Sequence, residues 1–162
     1  ILMAVLLPAL SACGFHLRGE ESFTLPFRSL HIQSAKGYTP FVDGLKRAVR
    51  ASDVELANSS EAAQLTLDIV SETEEKQILS LSGAGRVREY QLRYRISFRA
   101  FDRAHQDWIP AQEMELVRNL PYDDTQVLAK SQEEVLLYQD MRSDAVQQML
   151  RRLVRARPPQ TQ

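Results

Sequence analysis

Tyr90-Gln91-Leu92-Arg93-Tyr94-Arg95-Ile96-Ser97-Phe98-Arg99-Ala100 alternates without a break. Its even positions are aromatic or aliphatic and its odd positions are polar or cationic. A period of two sends these sets to opposite faces of an extended chain, so the stretch predicts a half-buried β-strand. The segment before it behaves similarly. Ala63, Leu65, Leu67 and Ile69 alternate with Gln64, Thr66 and Asp68, and the strand is expected to run on through the polar residues 72–77 toward Leu81. Ser82-Gly83-Ala84-Gly85 between the two is a turn signal, so they form an antiparallel hairpin. Asp102 to Asp107 makes the next turn. Trp108 to Leu120 reads as a further strand, its start weakened by Pro110.

Farther out the period changes. Near the start, Phe27 to Gln33 reads as a strand opened by Pro26. Thr39-Pro40 is then a helix-start signal, with Phe41, Val42, Leu45, Ala48 and Val49 on one helical face. That helix is expected to end near Ser52-Asp53. Downstream, Pro121-Tyr122-Asp123-Asp124 breaks the strand pattern. A long helix follows to Val154, starting at Thr125 or at Ser131, where Ser131 and Glu134 have capping-box spacing. Its apolar stripe is Tyr138, Met141, Ala145, Val146, Met149, Leu150 and Leu153. Arg151, Arg152, Arg155 and Arg157 cluster at its end, where cations favour the helix dipole. Pro158-Pro159 terminates it and residues 160–162 are tail. The order β-α-β-β-β-α predicts one α+β domain, a two-layer sandwich. Its sheet is four-stranded and mixed, with two helices on one face. Neither an internal repeat nor a domain linker is visible.

Composition narrows the function. The chain has 162 residues, 25% of them charged, and a formal net charge of −1. Such a chain has no global field to attract nucleic acid, so no nucleic-acid partner is expected and any anion recognition must be local. One cysteine excludes an internal disulfide, a multi-cysteine metal site and a CxxC redox pair. The three histidines, His16, His31 and His105, show no metal-ligand spacing. His31 lies among apolar residues, as a structural histidine does.

The single cysteine has a distinctive place. Ile1 to Ala12 carry no charge, and this run is shorter than the roughly 20 residues of a membrane span but fits the core of a signal peptide. No basic start precedes it, so the chain is expected to begin part-way through a precursor. Leu10-Ser11-Ala12-Cys13 is similar to the lipobox of bacterial lipoproteins, in which the thiol takes a diacylglycerol and cleavage leaves cysteine first. Residues 1–12 are then a signal-peptide remnant, 13–157 the lipidated domain and 158–162 a flexible tail. Several acyl chains, at about 0.8 kcal/mol per buried methylene, hold a protein stably to a bilayer. Gly14, not Asp, follows Cys13, which in such lipoproteins implies sorting to the outer membrane.

The chain lacks GxSxG, HExxH and a glycine-rich phosphate loop, and no enzyme activity or cofactor is expected. Glu72, Glu74 and Glu75 read as a solvated, charge-protected strand end. Asp123 and Asp124 read as capping and turn residues. Arg93, Arg95 and Arg99 form a stripe on one strand face, either solvated or set against a partner. Arg86 and Arg88 flank the hairpin turn and Lys130 stands just before the long helix, in Leu128-Ala129-Lys130-Ser131. Loop cations of this kind suit an anionic ligand.

Cys13-Gly14-Phe15-His16-Leu17-Arg18 resembles the mature start of the LPS-assembly lipoprotein family, LptE. Glu89-Tyr90-Gln91-Leu92 is similar to that family's third-strand start. Leu128-Ala129-Lys130, Glu133-Glu134 and Gln148-Met149-Leu150-Arg151-Arg152-Leu153 resemble its last helix. The chain ends sooner after that helix than some relatives do. The resemblance implies an outer-membrane lipoprotein on the periplasmic side, held largely within the lumen of the LptD β-barrel. There it plugs the barrel, assists its assembly and binds lipopolysaccharide on its way to the cell surface. It also implies lipidation at Cys13 and lipopolysaccharide contact through Lys130, with Arg86 and Arg88 matching the family's loop approximately. A lipoprotein scaffold that binds protein partners but no glycolipid is the alternative expectation.

Overall fold

The computed structural model describes residues 24–158. Cys13, the residues around it and the end of the expected tail lie outside that range. The described chain forms one mixed sheet with two helices on one face. The sheet has five strands, one more than expected. They are β1 (Ser29–Ser34), β2 (Glu55–Leu56), β3 (Leu65–Leu81), β4 (Val87–Asp102) and β5 (Asp107–Pro121), in the spatial order β2-β1-β3-β4-β5. β2 is the unexpected one. It spans two residues beside Ser29 and Leu30 and is extended by the Ala57 N–H donating to the Leu30 carbonyl at 2.9 Å. A two-residue strand has no period to detect.

β1 and β3 are parallel, from Leu30 opposite Leu65 to Ser34 opposite Ile69. A parallel pair needs a crossover, which helix α1 (Pro40–Arg50) supplies. Thr39 caps it, its Oγ1 accepting from the Val42 N–H at 3.2 Å, and Pro40 occupies the first turn, where its missing N–H costs nothing. Phe41, Val42, Leu45 and Val49 are buried beneath it. Gly44 permits close helix approach, because a Cβ there would lie 3.3 Å from Val146 Cγ2.

β3, β4 and β5 form an antiparallel meander. Leu92, Tyr94, Ile96, Phe98 and Ala100 of β4 all face the helices and are buried, as the alternation requires. Burying such side chains contributes about 1.5–3 kcal/mol each for the larger ones. Beneath the second helix, α2 (Val127–Arg155), lie Tyr138, Met141, Ala145, Met149, Leu150 and Leu153. That helix starts neither at Thr125 nor at Ser131. A short 3₁₀ turn, Asp124–Gln126, leads into it, and Ser131 is one turn inside. Its hydroxyl donates back to the Val127 carbonyl at 3.0 Å, so the Ser131–Glu134 capping box does not form.

One irregularity redirects the chemistry of β3. Ile69 opposes Phe98, but Ser71 opposes Ser97 and Glu72 opposes Ile96. The extra residue is a β-bulge that shifts the phase of everything after it. Glu72, Glu74, Lys76 and Ile78 therefore share the helix side with Leu65, Leu67 and Ile69. Glu72 is not the solvated residue its polar surroundings imply. It is buried under the start of α1, accepting from Thr39 Oγ1 at 2.7 Å and from the Tyr94 hydroxyl at 2.6 Å. Glu74 accepts from Arg142 at 2.6 Å. Glu75, on the outer face, pairs with Arg95.

His31 is structural, its Nδ1 lying 3.0 Å from the Ala57 carbonyl. None of the described helices is long and apolar enough to cross a membrane.

Candidate functional site

The hairpin tip, the end of β5 and the start of α2 meet at one end of the sheet. The turn is built by Ser82, whose N–H donates to the Arg86 carbonyl at 2.7 Å and whose carbonyl accepts from Gly85 at 2.9 Å. Gly85 has φ +75°, a left-handed conformation that glycine adopts without strain. Arg86 leaves this turn largely exposed and reaches Asp124 Oδ2 at 4.0 Å. Arg88 is tied through its backbone, its carbonyl accepting from the Tyr122 N–H at 2.8 Å. Its side chain is exposed. Tyr90 packs edge-on against Tyr122 at 5.1 Å, and Lys76 Nζ sits 4.3 Å above the Tyr90 ring.

Asp123 fixes the connection into α2. Its Oδ1 accepts from the Thr125 N–H at 2.9 Å and the Thr125 hydroxyl at 2.8 Å. Those bonds, with the charge of Lys130, hold its carboxyl below the usual carboxylate range. Lys130 is half-buried on α2 and donates to Glu133 at 2.7 Å, while Lys76 bridges to Glu134 at 2.5 Å. Arg86 reaches Asp124, Lys130 stands in the first turn of α2, and the Arg88 backbone is bonded to Tyr122. All three expected basic residues thus lie at the same end, and Arg86 and Lys130 each face one carboxylate while keeping donors for a second anion.

Sequence reading missed two parts of this site. Lys76 belongs to it only because of the bulge. The second part is apolar. Ile78, Leu79 and Leu81 of β3 and Val127 and Leu128 of α2 are exposed around the cations. Adjacent apolar residues on both faces of a strand end were the available signal, since a solvated hairpin does not require them.

The arginine stripe on the opposite face resolves into pairs. Arg93 lies 3.4 Å from Glu115, Arg99 lies 3.4 Å from Asp68 and 4.8 Å from the Phe101 ring, and Arg95 pairs with Glu75. This outer face is polar, half-exposed and charge-compensated. No group of three potential metal-ligating side chains occurs among the described residues.

The fold is an α+β domain like those of solved lipoprotein structures. A lipoprotein B from Nitrosomonas europaea is 42% identical, with a TM-score of 0.73 over 85% of this chain and 88% of that one. Rare lipoprotein B from Shewanella oneidensis is 25% identical, with a TM-score of 0.69 over 78% of this chain and 93% of that one. A family model described as LptE, lipopolysaccharide-assembly, matches residues 27–153, and the chain belongs to that family. The LPS-assembly lipoprotein LptE of Pectobacterium atrosepticum is 28% identical over 94% of this chain and 81% of its own length. That of Yersinia enterocolitica is 29% identical over 94% and 72%. Membership makes this a lipoprotein of lipopolysaccharide transport.

Proposed function

We propose that this chain is the lipoprotein subunit of the outer-membrane lipopolysaccharide export complex. It is anchored through Cys13 to the periplasmic face of the outer membrane. It plugs the lumen of the LptD barrel, assists the barrel's assembly and binds lipopolysaccharide with its tip. The observation that carries the glycolipid reading is that Arg86, Arg88 and Lys130 stand at one end of the sheet, Arg86 on Asp124 and Lys130 on Glu133, beside exposed Ile78, Leu79, Leu81 and Leu128. Lipid A joins phosphates to acyl chains, and this end joins guanidinium and ammonium donors to aliphatic surface. Guanidinium binds phosphate bidentately, and lysine adds a compact charge.

The plug reading draws on the remaining surface. A lumen occupant exchanges water for hydrogen-bonded contacts with a polar wall, as plugged barrels do. The outer sheet face, with its arginines already compensated, is polar without a strong field. The reading needs no catalytic group, because transport energy is supplied elsewhere.

Binding of lipopolysaccharide to the purified protein, compared with an Arg86→Asp/Lys130→Asp variant, tests the site. The variant is expected to lose roughly tenfold or more in affinity, from two charge-assisted contacts at about 1 kcal/mol or above each. Its association with the barrel is expected to survive. Unchanged glycolipid affinity in the folded variant would refute the tip as the binding site.

A further inference from the structure

The charges of α2 divide at Asp144. Every ion pair the helix makes with described residues lies at or before that position: Lys130–Glu133, Lys76–Glu134, Arg118 with Asp140 and Asp144, and Arg142–Glu74. Beyond it stand Arg151, Arg152 and Arg155. Their neighbours three and four positions back are Gln147, Gln148, Met149 or one another. Like charges at such spacings repel by about 0.2–0.5 kcal/mol per pair. Arg157 is different, since it donates to the Val154 and Ala156 carbonyls at 3.0 and 2.7 Å and so closes the helix end. The helix dipole accounts for some cation excess here. It does not account for Arg152. That guanidinium lies 5.2 Å over the Phe98 ring, and its NH1 is buried without a hydrogen-bond partner. Burial alone pulls it below its ordinary value, with no carboxylate contributing. An unmatched buried donor costs about 1–3 kcal/mol, so this guanidinium is kept at a cost to stability, with its remaining donors on the half-exposed side.

The position of these arginines names the anion. α2 descends from the tip: Glu134 meets Lys76, Arg142 meets Glu74, and Arg152 lies over Phe98, which opposes Ile69. It ends where β3 begins and where the described chain starts. The chain start lies at that end of the sheet because β1 runs parallel to β3, with Leu30 opposite Leu65. Thr24 follows Cys13 by eleven positions, a reach of at most about 36 Å. We propose that Arg151, Arg152 and Arg155 form a cationic surface that rests on the anionic phosphates of the membrane holding the anchor. This rests on the reading of Cys13 as the lipidated residue. The molecule then has two anion-binding ends of different purpose: a tip for the glycolipid cargo and a base that orients the domain on the bilayer.

The test uses residues 13–162 with Cys13→Ala, which keep every core residue and lack the lipid. Sedimentation with vesicles of phosphatidylcholine is compared with vesicles that also contain phosphatidylglycerol. Binding is expected only to the anionic vesicles and is expected to fall with salt. At about fivefold per arginine near such a surface, Arg151→Gln/Arg152→Gln/Arg155→Gln is expected to weaken it roughly 100-fold. The triple lysine replacement is expected to restore most of it, and circular dichroism confirms that each variant folds. Lys36→Gln/Arg47→Gln, which removes two exposed cations away from both ends, is expected to leave it unchanged. Equal binding to both vesicles, or a loss in Lys36→Gln/Arg47→Gln as large as in the α2 triple, would overturn the proposal. The mass of wild-type protein from membranes reports lipidation of Cys13 separately. A lipidated Cys13 with no arginine dependence would reject the surface and keep the anchor.

Discussion

At the residue scale, Glu72 carries the most weight per atom. Its carboxylate satisfies two buried hydroxyls at once, those of Thr39 and Tyr94. Removing it strands both, and each stranded donor costs about 1–3 kcal/mol. Glu72→Ala is therefore expected to destabilise by about 2–5 kcal/mol in urea unfolding, while Tyr94→Phe, which leaves the Thr39 bond in place, costs less. Comparable losses for the two would refute the shared role. Tyr138 supplies a pH dependence. Burial first, then Glu74, Glu134 and Glu75, push its hydroxyl up from 10 to about 12. Its folded value lies above its unfolded one, so its stabilisation is complete below about pH 10 and is lost as pH rises toward about 12. Thermal unfolding is expected to show a falling Tm across that window, flatter in Tyr138→Phe. An unchanged slope in that variant would assign the alkaline loss elsewhere. Sequence reading located the hairpin turn that Arg86 and Arg88 flank, because turn chemistry is local, but set Lys130 just before the long helix, whereas it lies inside the first turn of α2. It placed Glu72 on the wrong side, because the bulge that turns it inward leaves no mark in the alternation of residues 63–69.

At the element scale, strand and helix identity followed from period alone. β4 is the clearest case, with five alternate residues buried as the pattern demands. What failed was short or positional. β2 makes its pairs with two residues, and the start of α2 is decided by a 3₁₀ turn. Asp123, which caps the 3₁₀ turn leading into α2, and Ser131, inside the helix, make opposite predictions. Asp123 accepts from the Thr125 N–H and hydroxyl, so Asp123→Ala is expected to cost about 1 kcal/mol, within the range of lost caps, and to speed hydrogen exchange over residues 127–130. Ser131 bonds back within the helix, so Ser131→Ala is expected to be neutral or slightly stabilising. A cost of about 1 kcal/mol for Ser131→Ala would restore the capping box. α1 provides a third comparison. Thr39 both caps it and reaches Glu72, so Thr39→Ala is expected to cost about 2 kcal/mol in the same denaturation, and Thr39→Ser to recover most of that. If serine restores nothing, the methyl group matters rather than the hydroxyl.

At the scale of the whole molecule, the described residues form two layers, helices on sheet. Its core is closed between helices and sheet, its outer face is neutral by pairing, and its distinctive chemistry is confined to the two ends. The tip joins cations to exposed aliphatic groups. The base brings together arginines that have no ion pair among the described residues, at the end of the sheet where the described chain starts. Membership of the LptE family sets the process, lipopolysaccharide transport, and the central claim is that the domain does its part inside a barrel. Detergent extraction of outer membranes from cells making the tagged full-length protein, then affinity purification and mass spectrometry, tests that claim most directly. The account predicts recovery of one large outer-membrane β-barrel in equal amount with the lipoprotein. Recovery of the lipoprotein alone, folded and lipidated, would contradict it.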